Sequence, residues 1–359
     1  MRYFSNPFPV KEQTMSNATS ITRDLSGNAF LDPTFANLLA AAAAAAYTDF
    51  ANTNNPGYTP PALIFDGIGF NFLQRFTGFD DVIWGSGEEE RYALLYQSAS
   101  QNNTYLIAFR GTSSVDDMLL DLESGSSLAF IPFYNSSNFP KNVYVGDGFN
   151  KIYLTQKNTM PASLQKQIFT ALGKLPDPPT EIFITGHSLG GALASLFTLD
   201  MAVSLPDVGI TSITFASPRV GSSNWQTVYD QTYHLQDKTI RVRNSYDLVP
   251  KAPPANWPFS FKDIGQEFLV SFNVENNHIE VSDIILSWHA LTNYTYVVTR
   301  AVTVTPQLWT GEFPDQTHNG WNMLSYNPDA ASSALEQANS RDDVKQLLEK
   351  QNTTPTVAV

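Results

Sequence analysis

The sequence predicts an α/β fold, a mostly parallel central sheet with helices on both faces and a short helical lid. Three observations point there. From Arg91 onward, short apolar strand-like runs alternate with helix-like segments, the pattern of strands joined by crossover helices. An alanine-rich stretch from Ala36 to Tyr47 has strong helix propensity. The β-branched and aromatic run Ile182 to Thr185 meets glycines and continues at once as an apolar helix. With 42% hydrophobic and only 15% charged residues, including 24 Phe and 15 Tyr, the 359-residue chain has ample material for a packed core.

Residues 1–28 are polar and rich in Ser, Thr and Asn, and read as a loosely held arm. A first helix is expected from Asp32 to about Phe50, with Leu38, Leu39 and Tyr47 making contacts, ended by the Pro- and Asn-rich stretch Asn52 to Pro61. Its apolar run is shorter than the about 20 residues a bilayer span needs. Strands are then expected at Tyr92 to Tyr96 and Tyr105 to Phe109, a short helix at Val115 to Leu122, and a longer one from Ser163 to Leu172. The alternation continues with strand Glu181 to Thr185, helix Gly191 to Val203, and strands Ile210 to Phe215, Thr239 to Arg243 and Glu267 to Phe272. This divides the chain into an arm at 1–28, one domain at 29–313 and a polar extension at 314–359.

The formal net charge of −13 would repel phosphate backbones, so nucleic acid is not an expected partner. No transmembrane segment is expected, and Met1 to Ser20 lacks the apolar core of a secretory signal. With no cysteine, disulfides, thiolate metal sites and a cysteine nucleophile are excluded.

The chemistry concentrates at Gly186-His187-Ser188-Leu189-Gly190-Gly191. A sharp strand-to-helix turn holds a serine backbone in a strained conformation and projects its Oγ outward, while glycines two residues away on either side relieve the crowding. Ser188 is therefore the candidate nucleophile. It needs a base and an orienting acid, and after a G-x-S-x-G elbow of the strand–turn–helix kind they follow in the order serine, acid, histidine. Asp247 lies in the loop Asn244 to Pro250 after a strand, where sites form on such sheets. Asp230 and Asp237 lie in polar helical or turn sequence. Of the five histidines, His187 adjoins Ser188 and cannot turn back on it, and His234 precedes the acid, which leaves His278, His289 and His318. An oxyanion hole needs two backbone N–H groups, one from Leu189 and one from the loop after an earlier strand, where Thr112 follows Arg110-Gly111. Val115, Met118, Leu119 and Leu122 then form the apolar face of a short helix, a candidate lid with a hinge near Gly125 to Ser127.

These residues together resemble the class 3, fungal-type triacylglycerol lipases of the α/β-hydrolase fold, over about residues 90–300. Ala108 to Thr112 is similar to the family's oxyanion-strand motif, Val115 to Leu122 to its lid, and Gly186 to Gly191 to its nucleophile elbow. Phe215 to Gly221 resembles the strand-end motif that follows, and Arg243-Asn244 with Asp247 and Pro250 the acid loop. His289, with Tyr294, resembles the terminal histidine motif, and the resemblance selects it as the base. It implies a serine carboxylic-ester hydrolase without metal or cofactor, first a triacylglycerol lipase at a lipid–water interface. A phospholipase or aryl-type esterase on the same scaffold is the enzymatic alternative, and a catalytically silent binding protein the non-enzymatic one.

Overall fold

A computed structural model describes residues 31–65, 67–80, 87–112, 127–157, 160–253, 260–270, 272 and 286–301. Helix α1 (Pro33–Ala51) begins where expected, because the Asp32 carboxylate accepts the Phe35 N–H at 2.8 Å and Pro33 occupies the first turn. Ala41, Ala44 and Thr48 make its exposed stripe, whereas Ala36, Leu39, Ala40, Ala43 and Ala46 are buried. Their small side chains let the helix lie close on the sheet.

Apart from short helical turns, the elements that follow are β1 (Leu63–Phe65), β2 (Ile68–Asp80), β3 (Glu88–Ser98), β4 (Thr104–Phe109), β5 (Ser127–Ala129), β6 (Tyr144–Gly146), α2 (Asp147–Leu154), α3 (Leu164–Leu172), β7 (Glu181–His187), α4 (Leu189–Ser204), β8 (Gly209–Phe215), β9 (Thr239–Asn244), β10 (Gln266–Val270) and α5 (Leu291–Ala301). Among the described residues, eight strands form one sheet in the order β1-β2-β3-β4-β7-β8-β9-β10, and β5 pairs with β6 separately. From β4 to β10 all neighbours are parallel. The β1–β4 side is antiparallel, since a turn as short as that between Ser98 and Thr104 can only reverse the chain.

Both faces of the sheet are buried. Tyr105, Ile107 and Phe109 point with Ile182 and Ile184 into one core that holds α2, α3 and α4. Leu106 and Ala108 join Phe183, Ile213 and Val242 in the other, against α1 and α5. The central strands β4 and β7 therefore read as nearly continuous apolar runs rather than alternating ones. Helix α4 is buried on almost every side, which its sequence, apolar all round, anticipates.

Three differences from the sequence expectation have physical causes. Strand β2 was not foreseen, because register shifts between Phe72 and Gln74 and between Phe76 and Thr77 break its alternation. Helix α4 starts at Leu189 rather than Gly191, since the turn before it is a single residue wide. Helix α5 was not foreseen, its Thr- and Tyr-rich sequence being held by tertiary contacts with α1. The arm at 1–28, the candidate lid carrying Val115, Met118, Leu119 and Leu122, His278, His318 and the extension at 314–359 lie outside the described residues.

Candidate active site

The parallel strands deliver their C-terminal ends to one edge of the sheet, and the candidate residues collect there. Ser188 sits between β7 and α4 at φ 58° and ψ −129°, a strained conformation for a residue with a side chain. Its N–H bonds the Phe215 carbonyl at 3.0 Å, which ties the turn to β8. A Cβ on Gly186 would overlap the Gly190 carbonyl, and one on Gly190 would run into the backbone of Phe109 and Arg110. Both glycines of the elbow are thus required by close approach.

Asp247 is fully buried in the loop after β9. Its Oδ1 accepts the Val249 N–H at 3.0 Å. Its Oδ2 lies 2.8 Å from His289 Nδ1 and accepts the Tyr294 hydroxyl at 2.7 Å. The carboxylate can only accept, so Nδ1 carries the proton and Nε2 presents its lone pair. Among the described residues, His289 Nε2 is buried and meets no hydrogen-bond partner. The imidazole packs against the elbow, its ring centroid 4.6 Å from that of His187, the neighbour of Ser188. A histidine fixed by a buried carboxylate and packed on the serine elbow, with its basic nitrogen unused, is suited to act as a base there.

Tyr294 and Asn244 do work that the sequence did not disclose. Burial and the adjacent Asp247 push the Tyr294 phenol well above its ordinary range, so it stays a donor. Its oxygen accepts the Asn244 N–H at 2.8 Å, and the Asn244 amide bonds the carbonyls of Phe272 at 3.1 Å and Trp288 at 3.2 Å. The acid loop is thereby joined to the segment that carries His289. The sequence placed Tyr294 in a motif with His289 and Asn244 in the acid loop, but it did not show these bonds.

Leu189 is the first residue of α4, where N–H groups lie outside the intrahelical ladder and the helix dipole favours negative charge. Thr112 is buried just past β4. The loop before it is clamped by Arg110, whose guanidinium lies between the rings of Phe50 (3.8 Å) and Tyr92 (4.2 Å). Arg110 also bonds the carbonyls of Arg91 at 2.7 Å and Gly111 at 3.0 Å, and pairs with Glu90. The other acids are elsewhere: Asp230 accepts the Gly265 N–H at 2.8 Å and Asp237 the Gln266 amide at 2.7 Å.

Residues 106–257, which include the elbow and the acid loop, match the family model of the class 3 lipases. Over this segment the chain is similar to the class 3 lipases. The chain is also similar to curated plant proteins. Phospholipase A1-II 3 of Oryza sativa subsp. japonica is 31% identical over 166 residues, covering 42% of this chain and 38% of the relative. Phospholipase A1-IIgamma of Arabidopsis thaliana is 28% identical over 210 residues, covering 54% and 48%. The chain spans about half, or less, of the length of these relatives. Among solved structures, a triacylglycerol lipase from Penicillium expansum aligns at 20% identity and a TM-score of 0.46, over 70% of this chain and 82% of that one.

Proposed function

We propose that the chain is a serine hydrolase of lipid carboxylic esters, working through an acyl-serine intermediate. The Asp247–His289 pair carries this reading, because it leaves a buried, unused Nε2 beside the Ser188 elbow. Ser188 Oγ attacks the acyl carbon and its proton passes to His289 Nε2. The oxyanion of the tetrahedral intermediate lies on the N–H groups of Thr112 and Leu189, each worth about 3 kcal/mol. Collapse breaks the ester bond and His289 returns the proton to the leaving alcohol. Water then repeats the sequence on the acyl-serine. Asp247 orients the imidazole and stabilises its transient charge.

Triacylglycerol is the first substrate reading. Leu128, Ile131, Tyr134 and Tyr144, on β5 and β6 and in the segment between them, expose 40–54% of their surface, which suits contact with an acyl-chain interface. That surface is firmly held: the Asp200 carboxylate accepts the Phe133 N–H at 2.8 Å, and Ser204 Oγ accepts that of Tyr134 at 2.9 Å. Phospholipid is the second reading, favoured by the names of the plant relatives.

The test is hydrolysis of p-nitrophenyl esters of increasing chain length, emulsified triacylglycerol and phosphatidylcholine vesicles by the wild type and Ser188→Ala. The wild type is expected to cleave long-chain esters, and the variant to lose ~10⁴-fold or more in kcat. Release of fatty acid mainly from triacylglycerol or mainly from phosphatidylcholine selects between the substrates. Turnover that survives in Ser188→Ala, or none by the wild type, removes the serine-hydrolase reading.

A further inference from the structure

The chemistry above uses neither ring nitrogen of the elbow histidine His187, yet both have partners. The Tyr47 hydroxyl, from the last turns of α1, lies 2.8 Å from Nδ1, and Nε2 lies 2.7 Å from the backbone carbonyl oxygen of His289. A carbonyl only accepts, so Nε2 carries the proton, Nδ1 is bare, and Tyr47 donates to it. One neutral tautomer satisfies both bonds. Burial holds the His187 pKa well below its ordinary value, and the neighbouring His289 opposes a second charge there. Burial likewise raises the Tyr47 phenol, which keeps its proton.

This chain of bonds joins parts of the site that are far apart in sequence. The Tyr47 oxygen is also hydrogen-bonded by the Gly111 backbone, next to Thr112. A Cβ on Gly111 would collide with that hydroxyl and come within 2.5 Å of the His187 carbonyl. The His289 carbonyl falls just ahead of α5, whose first-turn N–H groups, those of Asn293 and Tyr294, bond Ala290 instead. The His187 bond therefore fixes the backbone of His289 from outside its own helix, as Asp247 fixes its ring.

We infer that Tyr47 and His187 are positioning residues, a hydrogen-bonded pair that sets one tautomer at the elbow and through it seats His289 beside Ser188. The inference rests on the reading of Ser188 and His289 as nucleophile and base. Tyr47→Phe removes only the hydroxyl, His187→Leu keeps bulk without hydrogen bonds, and His187→Gln retains an N–H for the His289 carbonyl.

With p-nitrophenyl esters, Tyr47→Phe and His187→Leu are expected to lower kcat about 10-fold and about 100-fold, with KM within about twofold. His187→Gln is expected to recover most of the loss, which a packing role alone would not produce. ¹⁵N spectra of histidine-labelled protein should show His187 protonated at Nε2 in the wild type and a mixture of tautomers in Tyr47→Phe. If His187→Leu does not fold, Tyr47→Phe decides. A folded Tyr47→Phe with wild-type kcat and an unchanged tautomer overturns the inference while the wild type remains active and Ser188→Ala inactive. Failure of those two controls would instead remove the serine-hydrolase reading beneath it.

Discussion

At the scale of single residues, the acid is the most constrained group of the site. Asp247 receives the Val249 N–H, the Tyr294 hydroxyl and His289 Nδ1 within 2.7–3.0 Å while fully buried. Its oxygens are held by these protein donors, which differ in what their removal leaves behind. Asp247→Asn offers an N–H where His289 needs an acceptor, and kcat is expected to fall about 10⁴-fold. Tyr294→Phe leaves the acid–histidine bond in place and is expected to cost only about 10-fold, from one hydrogen bond to a charged group. Steady-state kinetics on a soluble ester separates the two. Equal losses would mean that the Tyr294 hydroxyl acts on the reacting atoms and not through Asp247.

Elements place those residues, and α1 has two tasks. Its alanine stripe packs on the sheet, and its C-terminal turns bring Tyr47, Asp49 and Phe50 to the edge where β3 begins and β4 ends. There Asp49 pairs with Arg75 at 2.8 Å and Arg91 at 3.3 Å, and Phe50 covers Arg110. Close packing requires small side chains on the inner face and leaves the outer face unconstrained. Ala43→Leu, at a fully buried position, is expected to destabilise by about 1–3 kcal/mol through overpacking. Ala44→Leu, on the exposed stripe, should stay within about 0.5 kcal/mol of wild type. Urea unfolding of both variants checks this, and equal effects would disprove the one-sided packing of α1.

For the whole molecule, two buried groups set opposing slopes of stability against pH. Burial lowers the pKa of His187 well below 6.5, so the unfolded chain takes up a proton there that the folded one refuses. Stability from this group is complete above about pH 6.5 and falls as pH drops. Asp200, in the middle of α4, is raised by burial from 3.8 to about 6, against the lowering effect of bonds from Phe133, Gln165, Ser204 and Tyr153. Here the folded state holds the proton that the unfolded state has lost, so stability is complete at low pH and falls as pH rises to about 6. Between about pH 4 and 6 the two trends offset each other. Relative to wild type, Asp200→Asn should lose stability more steeply on acidification, and His187→Gln less steeply. Urea midpoints of the three proteins across that interval test the signs, and parallel curves would refute both assignments.

The central strands and the sharp turn at Ser188 were legible because each is local, an apolar run and a glycine-flanked serine, and Asp247 stood out as an aspartate in a loop after a strand. Asp32 and Ser163 announced their helix starts in the same way, by side chains that reach N–H groups three residues on. Strand β2 was hidden by its register shifts, and α5 by a sequence whose apolar face matters only against α1. The roles of Asn244, Tyr294, Arg110 and the Tyr47–His187 pair depend on partners tens of residues or more away, on other elements. The amino-acid sequence determined which groups were available and roughly where the chain turns. The tertiary structure alone decided which donors meet which acceptors, since that depends on how sheet and helices close on one another.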